Sequence, residues 1–357
     1  MKFRFFTPVL LLLLLAACSK DSDGNGPDPV DAMYFPPVSG SAWETRSVSS
    51  LGWNEAAVEP LKTFLAQKNT KSFMILVNGR IVMEQYFNGH TATATWPWNS
   101  AGKTLTTAAT GIAQQEGLLN INTPVSNYLG NGWTSAPLDK ERMITSRHLV
   151  TMTSGLSDDK ELVTKANLTF LADAGTRWSY HNVFQKQMDV VAAVSGKTFD
   201  AYVKEKIGDK IGMDGFWNKG LIFTVYHSST RGMARFGLLA LNQGNWNGTQ
   251  IVPADFFRES VNTSQSINPS YGYLWWLNGK ANFMVPGGQT VYPGPLVPSA
   301  PADMYAAMGA EDQRIYVVPS RNIVVIRMGD ASDPSNPSFA LSGFDNALWE
   351  KINAVIK

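Results

Sequence analysis

Residues 100–113 read SAGKTLTTAATGIA and have the apolar spacing of an amphipathic helix. The apolar positions fall on one helix face at i, i+3, i+4, i+7 and i+8: Leu105, Ala108, Ala109, Ile112 and Ala113. The pattern predicts a helix that buries this face and begins close to Ser100 and Lys103. Side chains three positions apart are neighbours on a helix, so the Lys103 amine is expected beside the Ser100 hydroxyl. The helix N-terminus also favours negative charge near the serine.

The Ser100–Lys103 pair has the two parts of an activated nucleophile. A serine hydroxyl is a weak nucleophile at its own pKa, and a lysine can act as its base only where burial or nearby positive charge disfavours the ammonium form. Without such surroundings, Ser100 is a helix N-cap and Lys103 a surface cation. A phosphate-binding loop ending at Lys103 would need glycine at position 97, which is Pro97.

A second Ser-x-x-Lys match lies at Ser157 and Lys160. The intervening Asp158 and Asp159 would keep that lysine charged, and no apolar helix face accompanies it. Ser157 is therefore interpreted as part of a solvated loop.

A Tyr-x-Asn pattern, Tyr180-His181-Asn182, follows Ser100 by 80 positions. It comes after residues 175–178, GTRW, whose glycine and aromatic residue predict a shaped loop. A phenol here can relay protons and an amide can hold a substrate carbonyl. His181 is expected to line the same site because of its position inside the motif.

Two other sets of polar residues are interpreted as structural. Tyr86 and Asn88 have the same Tyr-x-Asn spacing but end a predicted strand before a glycine, where asparagine is a turn residue. The other histidines, His90, His148 and His227, show no metal-ligand spacing, and no metal site is predicted.

The predicted sheet comes from both ends of the chain. Asn78-Gly79 separates two apolar runs, 73–77 and 81–87, which is the strongest short-range hairpin signal. A second hairpin is predicted over 315–328, followed by a closing helix from about Leu341 to Ile356.

The middle of the chain, about 101–244, is largely helical by its pattern, with stops at Gly117, Gly155 and Gly175. Residues 271–277, YGYLWWL, are predicted to form a further strand. The fold class is thus α/β of the α+β type: an antiparallel sheet from both chain ends, flanked by helices, with an inserted helical region. The cleft between sheet and insert is expected to hold the site.

The N-terminus has the features of an export signal. Lys2 and Arg4 precede an apolar run from Phe5 to Leu15. This run is shorter than the roughly 20 residues of a membrane-spanning helix. Residues 1–17 are therefore interpreted as a signal peptide.

Cys18 is the single cysteine of the sequence and follows Leu-Ala-Ala, which resembles the lipobox of bacterial lipoproteins. Residues 18–35 are interpreted as the acylated cysteine and a flexible tether rich in Ser, Asp, Gly and Pro. The folded domain is then predicted over 36–357. Membrane attachment through the lipid, in the outer membrane on its periplasmic face or at the cell surface, is expected.

Composition limits the function classes. The sequence has a hydrophobic content of 44%, which is enough to form a large core. Its net charge is +1, so it lacks the excess of basic residues that is typical of nucleic-acid-binding proteins. With one cysteine, neither a disulfide framework nor a cysteine-rich metal site is available.

Taken together, the two motifs in this order resemble the serine β-lactamase and penicillin-binding superfamily, in particular class C β-lactamase-like hydrolases near family VIII esterases and 6-aminohexanoate-oligomer hydrolases. The resemblance extends over roughly 45–357. It implies a β-lactamase/transpeptidase-like fold and an acyl-enzyme on Ser100, with Lys103 and Tyr180 moving its proton and Asn182 binding substrate. It implies no cofactor. The implied oxyanion hole consists of the Ser100 N–H and one N–H from the third-motif strand.

The third motif departs from that family. Where it has Lys-Thr-Gly or His-x-Gly, residues 306–310 read AAMGA, without a cation or hydroxyl. Gly309 still permits a close backbone approach and contact with substrate, and Ala310 is the candidate for the second oxyanion donor. The substrate-carboxylate anchor is missing unless Arg314 supplies it.

Three functions remain open from the sequence. A small ester or amide is the expected substrate of a serine hydrolase lacking the carboxylate anchor. A β-lactamase or D-Ala-D-Ala-type peptidase shares the chemistry but needs that anchor. A catalytically silent ligand-binding lipoprotein is the alternative from another class.

Overall fold

The centre of the fold is a sheet made from the two predicted hairpins. The structure is a computed structural model that describes residue 1 and residues 32–336, 341 and 343–356. Its strands are β1 Thr70–Val77, β2 Arg80–Tyr86, β3 Trp96–Pro97, β4 Phe216–Lys219, β5 Thr224–Ser228, β6 Asn245–Trp246, β7 Thr249–Gln250, β8 Trp276–Leu277, β9 Asn282–Met284, β10 Val291–Pro293, β11 Tyr305–Gly309, β12 Gln313–Val318 and β13 Ile323–Gly329.

The main sheet has six strands in the order β2-β1-β13-β12-β11-β8, and all its neighbours pair antiparallel. Both predicted hairpins are confirmed. In the first, Asn78 and Gly79 have φ of 48° and 78°, the conformation that a two-residue hairpin turn needs. A Cβ on Gly79 would overlap the Tyr34 carbonyl, so glycine is required there. Strand β1 pairs with β13, which places the chain ends side by side in the sheet as predicted.

Helices cover both faces of this sheet. They are α1 Val58–Gln67, α2 Lys103–Gln115, α3 Ser126–Leu129, α4 Leu138–Glu141, α5 Ser146–Val150, α6 Gln185–Ser195, α7 Phe199–Val203, α8 Asp209–Ile211, α9 Thr230–Leu241, α10 Ala254–Ser260 and α11 Gly343–Val355. A π-helical turn, Lys204–Gly208, joins α7 to α8.

Alternate residues of β12 show how the two faces are covered. Ile315 faces α9, where a Cβ on Gly237 would press against it and against Val324. Its neighbours Arg314 and Tyr316 instead contact Asp345 of α11. The predicted fold class, an antiparallel sheet flanked by helices, is confirmed.

The prediction of a strand over 271–277 is wrong except for its last two residues. Leu274 has φ of 59°, and Gly272 N–H donates to the Trp275 carbonyl, so the backbone reverses within the segment. Tyr271 consequently pairs with Trp276 of the same segment. Burial of every side chain from Tyr271 to Leu277, rather than alternation between two faces, stabilises this turn.

The inserted region differs in two respects from the predicted one. It carries β4 and β5, which form a three-stranded sheet with β3 in the order β3-β5-β4. Gly117 follows the end of α2 as predicted, but Gly155 and Gly175 lie in an irregular stretch between α5 and α6 and end no helix.

Residues Met33–Lys357 form one compact unit. Among the described residues, no helix has the length and apolar character needed to cross a bilayer. Cys18 and the predicted signal peptide and tether, apart from Met1 and residues 32–35, lie outside the described part of the chain. The boundary at residue 36 stays a prediction.

Candidate active site

Ser100 lies in a 3₁₀ turn, Asn99–Gly102, that leads directly into α2. The predicted apolar face of this helix is buried, and so are its other faces, because every residue from Lys103 to Ala113 is buried. Its alanines, threonines and Gly111 are small enough for neighbours to pack on all sides. The buried Thr107 hydroxyl has a hydrogen-bond partner, because it donates to the Tyr273 carbonyl. The helix therefore crosses the core and holds its first turn, with Ser100, at the edge of a cavity.

Lys103 is buried beside Ser100. Its Nζ lies 2.7 Å from the Ser100 Oγ, and the side chain of Lys103 is almost removed from solvent. Burial lowers the pKa of Lys103 to about 7. Among the described residues, no carboxylate forms an ion pair with this amine to offset the loss of hydration. A substantial neutral fraction of Lys103 is therefore present near pH 7, as a general base requires.

Aromatic rings enclose the amine. Its Nζ lies 4.8 Å from the centre of the Tyr180 ring and 4.6 Å from that of Phe184. The Tyr180 ring in turn stacks on Trp276, with the ring centres 5.6 Å apart. Burial raises the pKa of the Tyr180 phenol, and its hydrogen bond with Ser100 and the charge of Arg314 oppose this only in part. Tyr180 thus remains a neutral donor that contacts both partners of the Ser100–Lys103 pair.

The other two residues of the Tyr-x-Asn pattern have different surroundings. Asn182 begins a 3₁₀ turn and lines the cavity, and its amide nitrogen donates to the Glu161 carbonyl at 3.0 Å. His181 lies 2.8 Å from the Lys160 carbonyl through Nε2 and is absent from the cavity wall. The expectation that His181 lines the site is therefore wrong. It fixes the loop at residues 160–161 instead.

Gly309 brings the end of β11 against the Ser100 turn. A Cβ at this position would lie 3.0 Å from the Ser100 nitrogen and would overlap the Trp98 carbonyl. The close approach explains the glycine, since its φ of −123° is open to any residue. Ala310 follows and lines the cavity with Ser100. The two proposed oxyanion donors, the N–H groups of Ser100 and Ala310, are thus on adjoining segments.

We expect Gly309→Ala to push these segments apart. The variant should lose about 1–3 kcal/mol of unfolding free energy through overpacking. Its kcat/KM for a hydrolysed ester should fall on the order of 10²-fold, as when one oxyanion donor is misplaced. Denaturant unfolding and steady-state kinetics check both values. Gly343→Ala is the control, because a Cβ there meets nothing within 4 Å. Wild-type kinetics in Gly309→Ala would contradict the assigned contact.

Asn99 couples the same two segments and was not identified from the sequence. Its side-chain nitrogen donates to the Ala310 carbonyl at 2.9 Å. Its backbone is left-handed, with φ of 49°, a conformation that asparagine tolerates better than most residues. The available signal was its position directly before Ser100.

Asn99→Gly and Asn99→Ala should separate these two roles. Glycine keeps the left-handed backbone but removes the bond to Ala310, so we expect near-wild-type stability and a kcat/KM about tenfold lower. Alanine should in addition lose about 1 kcal/mol of stability from the backbone conformation. Thermal unfolding and kcat/KM check the pair. Full activity in Asn99→Gly would show that the bond to Ala310 does not position the site.

The cavity at Ser100 has a volume of about 210 Å³. Its wall consists of Asn99, Ser100, Lys103, Asn182, Phe184, Gln185, Trp217, Phe223, Thr224, Val225, Ala310 and Glu311. A larger groove of about 480 Å³ adjoins it through Gln185, Trp217 and Thr224 but includes neither Ser100 nor Lys103. The smaller cavity is therefore the candidate reaction site. Within the described residues, no group of three or more His, Cys, Asp or Glu side chains is placed to hold a metal.

Arg314 and Ser157 are not part of the site. The Arg314 guanidinium is fully buried and donates to the Asp345 carboxylate at 2.6 and 3.0 Å and to Asp312 at 2.9 Å. It is thus paired with two carboxylates and does not line the cavity. Ser157 lies in a loop as predicted, but its side chain is buried rather than solvated, and its Oγ accepts from the Asp159 N–H.

Known proteins share this architecture. The solved structure of a Bacillus anthracis protein assigned as a 6-aminohexanoate-dimer hydrolase is 17% identical, with a TM-score of 0.65, covering 91% of this chain and 89% of that one. A family VIII carboxylesterase is 14% identical, with a TM-score of 0.63, covering 84% of this chain and 97% of that one. A Mycobacterium bovis β-lactamase is 18% identical, with a TM-score of 0.59, covering 84% and 98%. At these identities the likeness establishes the fold.

Sequence comparison establishes the family. An uncharacterized protein of Alkalihalophilus pseudofirmus is 23% identical over 295 residues, which cover 72% of this chain and 82% of the relative. The Beta-lactamase family model matches residues 62–339. The chain therefore belongs to the Beta-lactamase family, whose members are serine hydrolases, as its Ser-x-x-Lys and Tyr-x-Asn motifs predict.

Proposed function

We propose that the protein hydrolyses a small ester or amide through an acyl-enzyme on Ser100. The observation that carries the proposal is the buried Lys103 amine, 2.7 Å from the Ser100 Oγ, with its pKa lowered to about 7. A buried lysine with this lowered pKa can accept a proton near pH 7, whereas a surface lysine is already protonated at that pH.

In the first step, neutral Lys103 takes the Ser100 proton as Oγ bonds to the substrate carbonyl carbon. The carbonyl oxygen becomes an oxyanion, for which the N–H groups of Ser100 and Ala310 are the proposed donors. Collapse of this tetrahedral intermediate breaks the bond between the carbonyl carbon and the leaving group. The leaving group receives the proton from Lys103 through Tyr180. A water molecule then adds to the acyl carbon, and Ser100 leaves with a proton restored to Oγ.

Charge in the cavity favours substrates without a carboxylate near the reacting carbonyl. Penicillins and D-Ala-D-Ala peptides present a carboxylate, whereas Arg314 is already paired with Asp345 and Asp312. Glu311 on the cavity wall adds a repulsive charge. Esters and amides are therefore preferred over the β-lactamase and peptidase alternatives.

The test combines mass spectrometry with steady-state kinetics on the purified protein. Rapid quenching after mixing with p-nitrophenyl acetate should show one added acetyl group, located on the peptide containing Ser100. Continuous release of p-nitrophenol over many turnovers should accompany it. Acylation without turnover, or no acylation, would favour the silent binding protein. Faster turnover of a cephalosporin or a D-Ala-D-Ala peptide than of any ester would favour the alternatives.

We also propose that the protein is exported and attached to the membrane through a lipid on Cys18. The support is the sequence of residues 2–18: a basic start, an apolar run and the lipobox-like Leu-Ala-Ala-Cys. Labelled palmitate should be incorporated when the full chain is expressed in bacteria, and Cys18→Ser should abolish both the label and fractionation with membranes. Labelling that persists in Cys18→Ser would refute the assignment.

A further inference from the structure

Glu311 stands out among the residues of the cavity at Ser100. Lys103 and Glu311 are the two residues with ionisable side chains on the described wall of this cavity. Glu311 is the acidic residue of this wall. The Glu311 side chain is exposed and makes no ion pair or hydrogen bond with the residues that the structure describes.

The backbone at Glu311 is held in an unfavourable conformation. Glu311 and Asp312 have φ of 58° and 60°, and two successive left-handed residues without a glycine are uncommon. Such strain persists only where the surroundings impose it, and it is concentrated at functional sites. The turn directly follows Ala310, the proposed oxyanion donor, so its geometry bears on the reacting carbonyl.

Contacts from distant parts of the chain impose this turn. The buried Arg327 guanidinium donates to the Glu311 carbonyl at 2.6 Å and to the Asp312 carbonyl at 3.2 Å. The Asp312 carboxylate is fixed by Arg314 and by the Ser332 N–H, both at 2.9 Å. The backbone of Glu311 is thus tied to the core while its carboxylate is left without a described partner.

Neighbouring cations do not neutralise the carboxylate. Arg314 is occupied by Asp345 and Asp312. Lys186 and Lys219 line the adjoining groove rather than the cavity, and Lys186 is paired with Asp189. Aromatic side chains share the cavity wall with Glu311, namely Trp217, Phe223 and Phe184. A cavity wall that carries both a carboxylate and aromatic side chains attracts ammonium groups by charge and by cation–π interaction.

We propose that Glu311, with Trp217 and Phe223, forms a subsite for an ammonium group of the substrate. The proposal rests on the proposed hydrolysis at Ser100 and specifies its substrate class: esters or amides that carry a primary or quaternary ammonium near the scissile bond. The same charge disfavours substrates with a carboxylate at this position.

The test compares two thioesters of the same shape and different charge. Acetylthiocholine carries a trimethylammonium group, and S-3,3-dimethylbutyl thioacetate carries a tert-butyl group in its place. The wild-type protein should show a kcat/KM about tenfold or more higher for the cationic compound, chiefly through KM. In Glu311→Gln this ratio should fall to near one, and 0.5 M NaCl should reduce it in the wild-type protein but not in the variant.

Further variants distinguish the effect of losing the Glu311 charge from an effect on folding. Glu311→Gly removes the carboxylate while relieving the left-handed backbone, so it should fold and show the same low ratio as Glu311→Gln. Glu55→Gln, at an exposed glutamate outside the cavity, should keep the wild-type ratio. A wild-type ratio near one, or an unchanged ratio in both Glu311 variants, would overturn the subsite.

Failure of the hydrolytic proposal is distinguishable from failure of the subsite. If the wild-type protein hydrolyses neither the two thioesters nor p-nitrophenyl acetate, the proposed function fails, and the subsite is then tested by titration calorimetry with choline. Binding of choline that is about tenfold weaker in Glu311→Gln and unchanged in Glu55→Gln supports the subsite. Equal affinity in all three proteins, or no binding, refutes it.

Discussion

Ser100→Ala is expected to reduce kcat for p-nitrophenyl acetate by on the order of 10³–10⁶-fold, the range seen when a catalytic serine is removed. The physical reason is that the acyl-enzyme bond forms at Oγ, and alanine has no atom that can replace it. The acetyl adduct on the peptide containing residue 100 should vanish with the activity. Stopped or continuous spectrophotometry and intact-protein mass spectrometry measure the two effects.

Ser157→Ala is the matched control, because it removes the serine of the second Ser-x-x-Lys match. The Ser157 Oγ accepts from the Asp159 N–H and does not line the cavity, so kcat should be unchanged. Stability should fall by about 1 kcal/mol at most through the lost hydrogen bond. Loss of activity in Ser157→Ala with retention in Ser100→Ala would reverse the assignment of the nucleophile.

Lys103→Met is expected to lower kcat/KM by about 10²–10⁴-fold, the contribution typical of a general base. In the wild-type protein, kcat/KM should rise with pH through the pKa of about 7 and level off above it, because the neutral amine is the reactive form. The methionine variant should lose this inflection. Rates measured between pH 5.5 and 9 in constant ionic strength check both statements.

The same substitution should stabilise the protein at neutral and acidic pH. Lys103 has a pKa of about 7 when folded, against about 10.4 for an unperturbed lysine, so the unfolded chain binds more protons between these values. The stability of the wild-type protein therefore rises as the pH increases through this interval. Methionine has no charge to bury and should gain about 1–4 kcal/mol at pH 6, with a smaller gain at pH 9.

Lys103→Arg tests whether residue 103 acts by accepting a proton or only by its positive charge. Arginine keeps a donor beside Ser100 but does not lose its proton in the working pH range, so the variant should be inactive throughout. It should also be less stable than the wild-type protein, because its buried charge is permanent. Activity in Lys103→Arg comparable to that of the wild-type protein would exclude proton transfer to residue 103.

The parts of the structure that sequence predicted correctly depend on short-range signals. Asn78-Gly79 can adopt two successive positive φ values at little cost, and this fixes the first hairpin wherever the rest of the chain lies. The i, i+3 spacing of Ser100 and Lys103 likewise places their side chains together on any helix. Such signals need no knowledge of distant contacts.

The parts that sequence missed are imposed by distant contacts. The aromatic run from Tyr271 to Leu277 reads equally well as a strand, and its reversal at Leu274 depends on a hydrogen bond to the Val150 carbonyl. Glu311 adopts a left-handed backbone through Arg327, a residue of another strand. His181 contacts the Lys160 carbonyl and does not line the cavity. In each case the conformation depends on a contact with a residue that is distant in the sequence and is brought close only by the tertiary structure.

The pairing of β1 with β13 has a kinetic consequence. The Arg327 guanidinium donates to the Lys68 carbonyl across 259 positions, and Thr70 aligns with Gly329 in the same ladder. Contacts of such long range slow folding, because the intervening chain must lose its freedom before they form. The sheet core is complete only after the last hairpin has paired with β1. Until β13 pairs with β1, that edge of β1 is uncovered, and an uncovered strand edge favours aggregation.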